Sequence, residues 1–217
     1  IVLIVSTVLY VLSVCLFLIF EWNNTDYADY HFGEKLLAAL FCAVAPRTAG
    51  FYSTNLVNLS ESGYVLTIIL MFIGGNSGST AGGIKVGTFA VIIMGMLAVF
   101  RGRRDINMGK KRIEHTLLSQ ALAIFAACLM MVMLASLMIC AFEPEESSKS
   151  VLFECVSALS TTGLSLNLTP KLGVASKIVL ILLMYAGRVG ILTLALALGE
   201  KHVAAEVRKP IDKLLIG

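Results

Sequence analysis

The chain has 217 residues, 58% of them hydrophobic and 14% charged, with a formal net charge of +3 and a mean hydropathy of +0.87. Soluble domains carry about 25% charged residues, so this composition excludes an ordinary soluble enzyme or nucleic-acid-binding module and points to a polytopic membrane protein. Cys15, Cys42, Cys128, Cys140 and Cys155 lie in apolar segments without CxxC spacing, and His31, His115 and His202 are scattered, which leaves no metal or redox centre in view.

In chain order, Ile1–Phe20 is an apolar run without a basic leader, long enough for a transmembrane helix, M1. It opens without an initiator methionine, so the chain is expected to be a fragment of a longer protein. Glu34–Ala45 is apolar but only about half a span, a short helix P. Gly63–Phe100 is too long for one crossing and glycine-rich in its middle, so a broken M2 is predicted. After a basic linker, Thr116–Phe142, Ser150–Leu159 and Val174–Leu198 give a second long, short and long helix.

Charge sets the sidedness. Arg101, Arg103, Arg104, Lys110, Lys111 and Arg112 fill the linker, and Lys201, Arg208, Lys209 and Lys213 the tail. The segments before the short helices are acidic: Glu21, Asp26, Asp29 and Glu34 in one, Glu143, Glu145 and Glu146 in the other. Both basic stretches face the cytoplasm only if the short helices re-enter the membrane without crossing it, which the positive-inside rule favours.

The chain also matches itself at an offset of 113 residues. Phe41–Phe51 (FCAVAPRTAGF) aligns with Glu154–Leu164 (ECVSALSTTGL), and Met71–Gly75 with Met184–Arg188. Cys42 falls on Cys155, Thr48 on Thr161 and Gly50 on Gly163. The expected architecture is therefore all-α and integral to the membrane, with two tandem parallel M1–P–M2 repeats carrying re-entrant loops. An ion filter needs ligands all around an axis, so these are two of an expected four repeats.

Each short helix runs into a glycine loop: Arg47-Thr48-Ala49-Gly50-Phe51 and Ser160-Thr161-Thr162-Gly163-Leu164. Glycine opens backbone angles closed to other residues. Irregular backbone at membrane depth survives only where protein or a water-filled cavity takes its polar groups. Carbonyls turned toward an axis can replace the hydration shell of a monovalent cation, and the negative end of the preceding helix dipole favours that cation. A plain helix-ending turn is the bland alternative for either loop taken alone.

These two motifs, each behind a short helix and duplicated within one chain, resemble the third and fourth filters of the Ktr/Trk/HKT potassium transporter superfamily, most closely the C-terminal half of a Ktr-type membrane subunit. The resemblance implies four repeats around one pore, with K+ held by the backbone of Thr48, Ala49, Gly50 and Phe51 and of Thr161, Thr162, Gly163 and Leu164, and no other cofactor. It also implies a homodimer, a cytosolic nucleotide-binding regulatory ring and a bacterial plasma (inner) membrane location. The basic linker and tail suit anionic lipid or a cytosolic partner.

The middle of the long segment carries Gly74, Gly75, Asn76, Ser77, Gly78, Ser79, Thr80, Ala81, Gly82, Gly83 and, beyond Ile84, Lys85. Each glycine costs a helix interior about 1 kcal/mol relative to alanine, so the helix is expected to unwind here. Ile84 before Lys85 breaks the Walker spacing. Close packing of small residues is one alternative; the preferred reading is a polar gate loop below the filter, as the resemblance also implies. Lys85 either adds positive charge to that gate or snorkels to the interface. Arg188 lies deep in the last helix, where a charge is expensive and functional by default. It is expected to anchor the loop and raise a barrier to cations, or else to bond helix-end carbonyls. Arg47 and Glu154 are a possible pair across the repeats.

The resulting division is 1–100 as a third-type repeat, 101–114 as a basic cytoplasmic linker, 115–199 as a fourth-type repeat and 200–217 as a cytoplasmic tail. The expected activity is potassium uptake. The alternative is a sodium-coupled or sodium-conducting cation transporter. The central membrane segments contain no aspartate and no histidine, which argues against an intramembrane enzyme.

Overall fold

The structure, a computed structural model, describes residues 2–53, 55–76, 78–79, 81–102, 106–108 and 111–190. Ser77, Thr80, 191–199 and the 200–217 tail, with its basic residues, lie outside the described residues. The helices are α1 (Val2–Phe20), α2 (Phe32–Val44), α3 (Glu61–Phe72), α4 (Val86–Phe100), α5 (His115–Phe142), α6 (Ser148–Ser160) and α7 (Val174–Val189). The linker is not featureless: β1 (Ile106–Met108) and β2 (Lys111–Ile113) pair antiparallel, Ile106 opposite Ile113. The fold is helical as expected, and the hairpin is a small detail of the linker. A three-residue hairpin carries too weak an alternation to stand out from a run valued for its charge.

Local sequence sets the helix ends. The backbone N–H of His31 donates to Glu34 Oε2 at 2.8 Å, closing a capping box at the start of α2. Pro46, two residues past its end, has no N–H with which to continue the ladder. Ser60 Oγ accepts from Gly63 N at 3.0 Å and starts α3. The long apolar stretch is two helices, with 73–85 between them.

Two apolar clusters hold the bundle. One joins α1, α2 and α3 through Phe17, Ala43, Leu66 and Leu70. The larger joins α3, α5, α6 and α7 through Met71, Cys128, Ile139, Phe153, Leu159 and Leu180. The outside is apolar too: Leu3, Ile4, Ile19, Leu137, Ile181 and Leu182 are each at least 60% exposed. Soluble monomers rarely show contiguous patches of that kind. Leu3–Phe20 and Thr116–Phe142 are long and apolar enough to cross a membrane.

A contact hidden from the sequence alignment ties each long helix to the start of the helix two further along. α1 and α5 each end on a phenylalanine that a glutamate follows. Glu21 accepts from Ser60 N (3.1 Å) and Ser60 Oγ (2.6 Å). Glu143 accepts from Gly173 N (2.7 Å) and Ser176 Oγ (3.0 Å). The acceptors are 39 and 30 residues from their backbone donors, so the intervening linkers differ by nine residues and the 113-residue register does not reach these glutamates.

Candidate functional site

The two glycine loops meet. Thr48 (φ 64°) and Gly50 (φ 72°) in one, Thr161 (φ 53°) and Gly163 (φ 87°) in the other, take left-handed backbone. Each pair falls at the same 113-residue offset. A β-carbon on Gly50 would lie 2.5 Å from the Thr162 carbonyl oxygen, and one on Gly163 would lie 3.9 Å from Gly50 Cα. Glycine at position 50 is thus required by close approach as well as by its φ. Thr162 Oγ1 donates to the Pro46 carbonyl (3.2 Å) and shares a hydrogen bond with Ser160 Oγ (2.7 Å), all of it buried. Both loops sit at the C-terminal ends of α2 and α6, where helix dipoles favour a cation.

The segment between α3 and α4 is a closed excursion. Gly74 N donates to Ile84 O (2.9 Å), Ile84 N to Phe72 O (3.2 Å) and Val86 N to Gly75 O (3.0 Å), a parallel bridge at its neck. Lys85 Nζ donates to the carbonyls of Ser79 (3.1 Å) and Ala81, so its charge is turned back onto the loop. Ser6 of α1 donates to Asn76 Oδ1 (2.6 Å). The far side of the excursion touches the second glycine loop: Gly82 N donates to Thr161 Oγ1 at 3.0 Å, and a β-carbon on Gly82 would sit 2.7 Å from that oxygen. The glycine cluster is therefore more than a helix-packing stripe, because its backbone pairs with itself and with Thr161.

A cleft of about 820 Å³ opens beside the second loop, lined in part by Glu154, Thr161, Gly163, Leu164, Lys177 and Arg188. Arg188, exposed in the last turn of α7, shares this cleft with the loop and is near enough to Lys85 for their charges to repel. Neighbouring Gly187 lets α7 reach the end of α6, since a β-carbon there would lie 1.9 Å from Leu159 O.

Arg47 and Glu154 do not pair. Glu154 accepts from Ser165 Oγ, Leu166 N (3.2 Å) and Thr169 Oγ1 (2.9 Å). Arg47 Nε and Nη2 are buried with no hydrogen-bond partner among the described residues. Local donors from the chain just past the second loop satisfy the carboxylate first. Ala49 and Phe51 are exposed, Phe51 at 73%. Among the described residues no group of three His, Cys, Asp or Glu could hold a metal ion.

Residues 1–206 match the TrkH family, described as cation transport protein. The chain belongs to this family. It is 37% identical to the potassium/sodium uptake protein NtpJ of Enterococcus hirae, over 98% of this chain and 48% of that protein. It is 35% identical to Ktr system potassium uptake protein B of Bacillus subtilis, over 92% of this chain and 44% of that protein. The chain thus spans about half the length of the curated relatives it matches. The crystal structure of the potassium transporter TrkH from Vibrio parahaemolyticus superposes with a TM-score of 0.71 at 22% identity, covering 90% of this chain and 43% of that one; at that identity it shows the shared fold. The chain is thus part of a membrane-protein family described by cation transport. Sequence reasoning reached the two loops and the excursion. It missed the bracing by Glu154, the close approach at Gly187, and the Thr162–Pro46 bridge, whose signal is only a buried hydroxyl beside a proline-bearing turn.

Proposed function

We propose that this chain forms part of a potassium-uptake pore in which Thr48, Ala49, Gly50, Phe51, Thr161, Thr162, Gly163 and Leu164 bind K+ through backbone oxygens. The observation that carries the reading is the backbone approach of Gly50 to Thr162 at the negative ends of two half-length helices. Two such loops supply one side of a ring. The other side comes from two further repeats, in keeping with relatives of about twice this length. The division into third- and fourth-type repeats, with a cytoplasmic basic linker, belongs to the same proposal.

Residues 74–83, with Lys85 and Arg188, act as the gate. Their hydrogen bond to Thr161 supports this, as does the positive charge that Lys85 and Arg188 bring to the same place. A cation leaving the filter must move the loop and pass those charges. The glutamates and aspartates ahead of α2 and α6 concentrate cations at the outer mouth. The similarity to a protein named as part of a Ktr system supports a separate partner component; a homodimer, a cytosolic nucleotide-binding regulatory ring, a bacterial inner membrane and lipid around the apolar exterior belong to the same proposal. A second reading, sodium-coupled or sodium-conducting transport, is favoured by the similarity to a potassium/sodium uptake protein.

Rubidium-tracer uptake by the full-length protein in proteoliposomes, competed with K+ or Na+, tests the reading in wild type and Gly163→Ser. Strong K+ and weak Na+ competition, eroded by the substitution, is the expected result. Equal competition by Na+, or an unchanged ratio in the variant, overturns the assignment of the filter.

A further inference from the structure

We propose that Glu154 is a positioning residue that holds the outer wall of the second glycine loop and so sets its preference between cations. This inference rests on the reading of Thr161–Leu164 as ion-binding. Glu154 lies in the middle of α6 and is only 5% exposed. Burying a carboxylate is costly unless hydrogen bonds satisfy it, and both of its oxygens are engaged. Oε1 takes Ser165 Oγ and Leu166 N, and Oε2 takes Thr169 Oγ1. All three donors come from the stretch that directly follows Leu164.

That stretch is folded around the carboxylate. Ser165 Oγ donates to Glu154 and accepts from Asn167 N at 3.0 Å, which fixes its rotamer. Asn167 takes a left-handed φ of 61°, and Leu164 and Leu168 are buried on either side. The exit of the loop is thereby fastened to the helix that enters it. Gly163 has a φ of 87°, and a β-carbon there would meet only Gly50 Cα within 4 Å. Among the described residues the first loop has no such brace. The residue 113 positions before Glu154 is Phe41, 42% exposed, and Phe51 at the end of that loop and Tyr52 after it are exposed as well.

A brace made of hydrogen bonds and a fixed negative charge predict different variants. Glutamine keeps an oxygen for Ser165 and Leu166, and its amide can donate to the Thr169 hydroxyl, so Glu154→Gln keeps the geometry and loses the charge. Glu154→Ala loses both. The readout is the ratio of K+ to Na+ concentrations that half-block rubidium uptake by the full-length protein in proteoliposomes. This ratio does not depend on how much protein folds. Glu154→Gln is expected to stay within about twofold of wild type, and Glu154→Ala to lose about tenfold of the preference, as for loss of charge-assisted hydrogen bonds. Should Glu154→Ala not fold, Ser165→Ala with Thr169→Val removes two donors and is expected to lose about threefold. A wild-type ratio in Glu154→Ala or in the double variant overturns the proposal, as does a Glu154→Gln as damaged as Glu154→Ala. Absence of K+-sensitive uptake in wild type is a different result, and it sinks the transport reading itself.

Discussion

The two glycine loops share their backbone turns but not their support. Loop 160–164 is enclosed: Ser160, Thr162 and Leu164 are buried, Thr162 reaches Pro46, Thr161 receives Gly82, and Glu154 fastens the exit. Loop 47–51 is open: among the described residues Thr48 Oγ1 bonds only the neighbouring Arg47 carbonyl (2.6 Å), two nitrogens of Arg47 are buried without a hydrogen-bond partner, and Phe51 is exposed. The same left-handed turns thus persist under unequal bracing, which places the cause of the turns in the local sequence and the cause of their rigidity in the surroundings. The loop this chain braces is the one that the segment between α3 and α4 touches.

That contrast can be broken at the glycines first. Gly50→Ala is expected to be the most damaging change, because the new methyl meets Thr162 O in addition to the left-handed cost of about 1–2 kcal/mol; overpacking adds about 1–3 kcal/mol. Gly163→Ala bears the backbone cost alone. The melting temperature of the purified protein should fall further for Gly50→Ala, and rubidium uptake with it. Equal falls would mean that the two loops do not lean on each other.

Next in size is Gly82→Ala, whose β-carbon collides with Thr161. Uptake is expected to rise several-fold as the segment leaves the loop, with the K+/Na+ ratio retained. Gly78→Ala, where nothing lies within 4 Å, is expected to change flux far less. Lower flux in Gly82→Ala would count against the gate. Thr162→Val removes the bond to Pro46 and is expected to cost about 1 kcal/mol, read as a drop in melting temperature. Thr48→Val should cost less than half of that. Glu21→Gln and Glu143→Gln are expected to cost about 0.5–1 kcal/mol each, similar in the two because both carboxylates accept a backbone N–H and a hydroxyl.

Much of this site was legible in the sequence because its determinants are local. Thr48, Gly50, Thr161 and Gly163 recur at one offset, and their left-handed angles follow from helix-ending turns. The helix break followed from the density of glycines between Met71 and Gly87. What stayed hidden depends on distance in space. Glu21 and Glu143 escaped because linkers of different length shift the register. Glu154 was weighed as a partner for Arg47, since two buried charges invite pairing, but Ser165 and Thr169 are tethered near it and reach it at smaller entropic cost. Gly187 was overshadowed by Arg188, although a glycine facing a helix end is what allows α7 to approach.

The most direct test is an anomalous-scattering map from crystals of the full-length protein grown in rubidium. The account predicts a peak beside Gly50 and Gly163, on the side the two loops jointly face, within coordination distance of carbonyl oxygens from both loops. Peaks confined to the acidic surface before α2 and α6, with none beside the loops, would contradict it.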